Sequence, residues 1–125
     1  MIRGVGIDIV TVSRIERAVE RWGKRFLERI FTPAEIDRCQ RRMRPAGCLA
    51  LRFAAKEAFA KALGLGMRKG LRWRDIEVVH DHLGKPDLRL HNQAERLLAA
   101  MSASRTWLSL SDESDSAVAV VIIEG

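Results

Sequence analysis

The stretch Leu49-Ala-Leu-Arg-Phe-Ala-Ala-Lys-Glu-Ala-Phe-Ala-Lys61 limits the fold more than any other, because an alanine-rich run without Gly or Pro reads as a helix. Leu49, Phe53, Ala60 and Leu63, with Ala54 and Ala58 as small fillers, make an apolar stripe that must press on other elements. Gly64 is suited to close it. Packing does not explain the charges. Arg52 and Lys56 stand one turn apart, and so do Glu57 and Lys61. One account is a pair of i,i+4 contacts on an exposed face, each contributing about 0.2–0.5 kcal/mol. The other is a site for a phosphate-bearing substrate, with Glu57 on a hard divalent cation and Arg52, Lys56 and Lys61 neutralising phosphoryl oxygens. That account requires a second carboxylate.

Ile2 to Val10 supplies one. β-Branched residues dominate this stretch, which reads as a strand, and period-two alternation sets Asp8 on one face with Gly4 and Gly6. Two glycines beside an acid leave room for another backbone or a ligand to come close. The alternative for Asp8 is local bonding to backbone N–H groups before the next helix.

The chain has 125 residues, 47% of them hydrophobic, which suits a single domain spanning 1–125 whose core would gain from oligomerisation. A net charge of +6 favours an acidic partner or a phosphorylated ligand. Cys39 and Cys48 make no metal pattern with the histidines, so a reducing, cytoplasmic compartment is expected. Neither a signal peptide nor a membrane span is legible, and no membrane partner is expected.

Ser13-Arg-Ile-Glu16 has the form of a capping box, so a helix is expected from about Arg14 to Trp22, stopped by Gly23. Ile15, Val19, Trp22 and Phe26 follow its buried side, while Arg14, Arg17, Arg21, Lys24 and Arg25 gather on another. This ridge is either solvated charge or a docking surface for an acidic helix. Thr32-Pro33 with Glu35 starts a helix expected to reach about Met43, and Arg44-Pro45-Ala-Gly47 is expected to break it. The loop Gly64-Leu-Gly66-Met-Arg-Lys-Gly70 lacks Walker spacing and reads as an exit turn or a weak phosphate approach. Strands are expected at Asp75–His80 and Asp87–His91 around the turn Leu83-Gly-Lys-Pro86, then a helix capped by Asn92. His80 and His82 lack a third ligand and read as surface residues. The last strands, Thr106–Ser111 and Ala117–Glu124, flank an acidic turn, and the second is apolar enough to be central.

Gly6-Ile-Asp8-Ile and Arg52-Phe-Ala-Ala-Lys-Glu57-Ala-Phe-Ala-Lys61 closely resemble the two signatures of holo-acyl carrier protein synthases, the short 4′-phosphopantetheinyl transferases. The resemblance continues through the basic first helix, Thr32-Pro33, Gly64 and Gly66, Leu83-Gly-Lys-Pro86 and Ser109-Leu-Ser111. It implies an α+β fold in which an antiparallel sheet packs on a long central helix, and a homotrimer with active sites between subunits. It further implies magnesium-dependent transfer of phosphopantetheine from coenzyme A to a serine of an acidic apo acyl carrier protein. Asp8 and Glu57 would then hold Mg²⁺, Lys61 would assist the departing phosphate, and Arg52, Lys61, Gly64, Gly84 and Pro86 would border coenzyme A. Arg14, Arg17, Arg21 and Lys24 would meet the carrier. Leu65 stands where many relatives have Thr, and Asp112 where some have His, so neither of those family roles carries over. A basic RNA-binding module without catalysis would share the net charge. Its stacking aromatics and GxxG clamp are missing, Asp8 and Glu57 would repel phosphate, and no nucleic-acid partner is expected. A third reading is an inactive domain that grips an acidic carrier through its first helix.

Overall fold

Strand β1 (Ile2–Thr11) turns its glycine face to helix α4 (Pro45–Leu63), and the two lie closer than any side chain permits. A Cβ placed on Gly6 would fall inside the carbonyl oxygen of Ala58 and within 2.7 Å of the Ala62 nitrogen, and Gly4 meets the Ala62 carbonyl in the same way. Small residues on both elements make this contact. The computed structural model describes residues 1–125, and no helix in it is long and apolar enough to cross a membrane.

After β1 come helices α1 (Val12–Trp22), α2 (Lys24–Ile30) and α3 (Pro33–Gln40), then α4 and a 3₁₀ turn at Trp73–Asp75. Strands β2 (Ile76–His80) and β3 (Pro86–Leu90), helix α5 (Asn92–Ala100), and strands β4 (Arg105–Glu113) and β5 (Ser116–Glu124) complete the chain. The fold is α+β, with helix α4 on one face of an antiparallel β1-β5-β4 sheet. The apolar run in β5 is central, as its composition predicts, and Ala117, Ala119, Val121 and Ile123 face the core. Strands β2 and β3 pair only with each other, as a separate hairpin with Ile76 opposite Leu90 and His80 opposite Pro86.

Several local expectations are corrected. Ser13 does not cap α1, which starts at Val12 because β1 runs into it without a loop. The exposed N–H groups are instead met from the β4–β5 turn: Asp115 accepts from the Ser13 N–H at 3.0 Å, and its backbone carbonyl accepts from Val12 at 2.8 Å. A carboxylate at a helix N-terminus is well placed, and Ser13 Oγ and Arg44 also donate to it. Trp22 is 55% exposed rather than buried, since Gly23, at φ +56°, turns the chain into α2 there and Arg21 covers the indole. Helix α3 stops at Gln40, and Met43 lies fully exposed in the bend beyond it. Pro45 starts α4 rather than breaking the chain, taking the first-turn position where a missing N–H costs nothing. The Asn92 side chain donates to Asp75 instead of capping α5. The cysteines are not separate thiols: Cys39 and Cys48 form a disulfide joining the end of α3 to the start of α4. By contrast the Thr32 capping box forms as its sequence dictates, with Glu35 returning the bond.

Gly6→Ala is expected to lower unfolding free energy by on the order of 3 kcal/mol or to abolish folding, because both colliding groups are helix backbone. Urea denaturation followed by circular dichroism would check this, with Gly47→Ala, which has open space around it, as the control.

Candidate active site

Helix α4 distributes its charges among three surroundings, and the i,i+4 pairs suggested by the spacing do not form. Lys56 is fully buried and bound to Glu35 at 2.8 Å, with further donation to the carbonyls of Trp73 and Ile76. Burial pulls its pKa down, while Glu35 works against that. This ammonium is committed to holding α3 and the start of β2 against α4, so Lys56 is not available to phosphate.

Glu57 and Lys61 lie on another stripe of α4, where β1 brings Asp8 to meet them. Lys61 Nζ donates to Asp8 Oδ1 and to the Ile7 carbonyl, each at 3.0 Å, and so binds the strand acid rather than its helical neighbour. Burial raises the pKa of Glu57, and the Asp8 charge raises it further, against a smaller opposing effect from Lys61. Two carboxylates are therefore held close enough to repel each other, with one ammonium bound to Asp8 alone. No group of three or more His, Cys, Asp or Glu side chains suits a metal ion. A hard cation at Asp8 and Glu57 would complete its shell with water and substrate oxygens, as Mg²⁺ does with only one or two carboxylates. The mutual repulsion is what such an ion would relieve. Gly64, at φ +79°, closes the helix just past Lys61, where the Gly64, Leu65 and Gly66 N–H groups donate to the Lys61 and Ala60 carbonyls, and has open space beside its α-carbon.

Arg52 does not join this cluster. Five positions before Glu57, it points about 140° away around the helix. Only 3% exposed, it donates to the Cys48 carbonyl at 3.1 Å and contacts the Cys48 sulfur. Desolvation lowers its pKa to about 10. Its Nε has no partner, and neither does the buried Nδ1 of His80. Both side chains line a cavity of about 320 Å³ that Arg42, Arg44 and Asp112 also border. Three arginines against one acid, Asp112, leave the lining of this cavity predominantly cationic, which suits an anionic ligand. The sequence gives no sign of His80 here, because β2 and α4 meet only in three dimensions; its spacing alone suggests a surface residue. Gly84 and Pro86 lie in the β2–β3 hairpin that carries His80, away from the Asp8 cluster in sequence and sheet. Arg14, Arg17 and Arg21 stand on α1, but Lys24 begins α2 and pairs with Glu28, so the basic ridge spans two helices. A cavity of about 880 Å³ is bordered by Arg29, Trp73, Asp75 and His91 and contains none of the predicted site residues.

The family described as the 4′-phosphopantetheinyl transferase superfamily matches residues 4–121. A holo-[acyl-carrier-protein] synthase of Geobacter sulfurreducens is 52% identical over 124 residues, covering 99% of this chain and 98% of that protein. The crystal structure of the holo-[acyl-carrier-protein] synthase of Neisseria meningitidis superposes with a TM-score of 0.92 at 43% identity, with each chain wholly covered. That of the Helicobacter pylori synthase, solved with coenzyme A, has a TM-score of 0.85 at 33% identity, covering 96% of this chain and 99% of the other.

The raised pKa of Glu57 has a stability consequence. The folded state holds this proton more tightly than the unfolded chain, so the group's contribution is complete below the ordinary value near 4.5 and is lost as pH rises through the folded one. In chelator, Glu57→Gln is expected to melt on the order of 2 °C above the parent at mildly alkaline pH, and to match it in acid. Calorimetric melting at both pH values would check this.

Proposed function

The chain belongs to the 4′-phosphopantetheinyl transferase superfamily and is an enzyme of the holo-acyl-carrier-protein synthase type, and on that premise we propose how its own residues carry the reaction. The transfer takes the phosphopantetheine arm of coenzyme A to a serine hydroxyl of an acidic apo acyl carrier protein. A serine oxygen–phosphorus bond forms as the hydroxyl proton passes to solvent, the phosphorus–oxygen bond of the pyrophosphate bridge breaks, and adenosine 3′,5′-bisphosphate leaves with the bridging oxygen. The single observation that supports this best is the Asp8–Glu57–Lys61 cluster, two repelling carboxylates beside a half-exposed ammonium.

Asp8 and Glu57 are the residues that would hold Mg²⁺. When bound there, the ion would neutralise pyrophosphate oxygens and polarise the attacked phosphorus. Lys61, half exposed, turns its ammonium from Asp8 toward the departing phosphate and offsets its charge. Gly64 leaves space for the ligand beside Lys61. Arg52, with Arg42, Arg44 and His80, offers a second anion position suited to the bisphosphate end of coenzyme A, and Gly84 and Pro86, from the hairpin that carries His80, would border the nucleotide there. Arg14, Arg17, Arg21 and Lys24 steer the acidic carrier. The pathway served is fatty acid biosynthesis, in the cytoplasm.

The assembly is a homotrimer with sites shared between subunits. Val5, Ile7 and Ile9 are exposed on the outer sheet face, and Trp107, Val120 and Ile122 occupy the same face through their register. An apolar face of this kind favours association. The separation of Arg52 from Glu57 on α4 has the same implication, because one coenzyme A that uses both groups is most simply spanned by two subunits.

An apo carrier protein incubated with coenzyme A and this enzyme should gain one phosphopantetheinyl group by mass, with Mg²⁺ and not with chelator. Glu57→Ala should slow the transfer by about 10³-fold or more. A folded carrier that gains no mass would refute the reading. Reversing Arg14 and Arg21 to Glu should raise the KM for the carrier by about tenfold and leave that for coenzyme A unchanged, measured by steady-state kinetics.

A further inference from the structure

The Cys39–Cys48 disulfide abuts the arginine-lined cavity rather than lying at random in the core. Cys39 is fully buried at the end of α3, whereas Cys48 is part-exposed in the first turns of α4 and lines the cavity. The Arg52 guanidinium lies 3.0 Å from the Cys48 sulfur and 3.1 Å from its carbonyl. Between the two cysteines runs the short bend that carries Arg41, Arg42 and Arg44, so the bond closes a small loop bearing two of the cavity's cations.

We propose that this pair is a thiol–disulfide exchange site that sets how well the Arg42–Arg44–Arg52 cavity binds an anionic ligand. Only Cys48 is open to attack. The thiolate of a small thiol such as glutathione attacks the Cys48 sulfur, the protein disulfide breaks, and Cys39 leaves as a thiolate and takes up a proton. A second small thiolate attacks the reagent's sulfur in the mixed disulfide and releases Cys48. Two electrons thus pass from two small thiols to the protein, and one small-molecule disulfide is formed. The guanidinium beside Cys48 stabilises its thiolate and eases both directions of the exchange. While the bond is closed, the loop holds Arg42 at the cavity mouth beside Arg44, which Asp115 also holds. Once it opens, binding must order the loop and the Arg42 side chain afresh, and affinity falls.

This rests on the reading of the cavity as the bisphosphate end of the coenzyme A site, so the test uses adenosine 3′,5′-bisphosphate, which carries no thiol to reduce the protein. Its Kd would be measured by calorimetry on the oxidised full-length protein and on protein reduced with glutathione, with alkylation and mass spectrometry counting thiols in each. The expected result is no alkylation before reduction, two sites after it, and a Kd weaker by on the order of three- to tenfold in the reduced form. Cys39→Ala should bind like the reduced form and be indifferent to glutathione. Equal Kd values in the two wild-type forms, or two thiols in protein never exposed to reductant, would overturn the inference and leave the transferase reading intact. No binding by either form would overturn the cavity assignment with it.

Discussion

Everything at the candidate site depends on one contact without side chains, the seating of Gly4 and Gly6 of β1 on the carbonyls of Ala58 and Ala62. A strand normally stands well clear of a helix, by the depth of two layers of side chains. Here one layer is missing and the other is alanine. The next inward-facing residue of β1 is Asp8, and the closeness of the two backbones brings its carboxylate level with the Lys61 ammonium, whose reach is then short enough to bond the Ile7 carbonyl as well. An aliphatic side chain at Gly6 would separate the acids as well as strain the packing.

That contact fixes the strand, but not the rotation of the helix, which is set from the opposite side. Lys56 precedes Glu57 and is anchored by Glu35, Trp73 and Ile76, while Glu35 also accepts from the N–H groups of Thr32 and Val78. With every donor on the ammonium directed to an acceptor, the buried pair is satisfied rather than merely neutralised, which is the condition for tolerating charge in a core. Such a network adds little net stability over an apolar replacement. Its effect is directional: with Lys56 fixed on one side of α4, Glu57 and Lys61 face β1 on another.

The parts legible in the sequence are those written in local chemistry. Helix α4, the Thr32 cap, the central β5 strand and the coincidence of Asp8 with two glycines follow from periodicity and turn chemistry within a few residues. The parts not legible depend on partners distant in the chain. Ser13 and Glu16 have the spacing of a capping box, yet Asp115, from the turn before the last strand, takes the role, and no pattern joins positions separated by a hundred residues. Lys56 and Arg52 look like members of one cationic cluster until burial divides them. Trp22 follows helical spacing for the core, but the chain turns at Gly23 before the core can reach it. Cys39 and Cys48, read only for metal spacing, are brought together by a helix break that also has Pro45 opening α4.

The Asp8–Glu57 pair and the Arg52–His80 pair are opposite imbalances. The first has more negative charge than Lys61 alone offsets, and the second leaves two buried nitrogens, Arg52 Nε and His80 Nδ1, without a partner. Neither is what folding alone would select, since each carries an electrostatic cost that a neutral or paired arrangement would avoid. Together they are complementary to a ligand that brings a cation to one end and phosphate oxygens to both. Because the two imbalances project from different sides of the same helix, no rotation of α4 would let one subunit satisfy them at a single point. A second copy of the chain, docked through the apolar outer face of its sheet, would allow one ligand to relieve both.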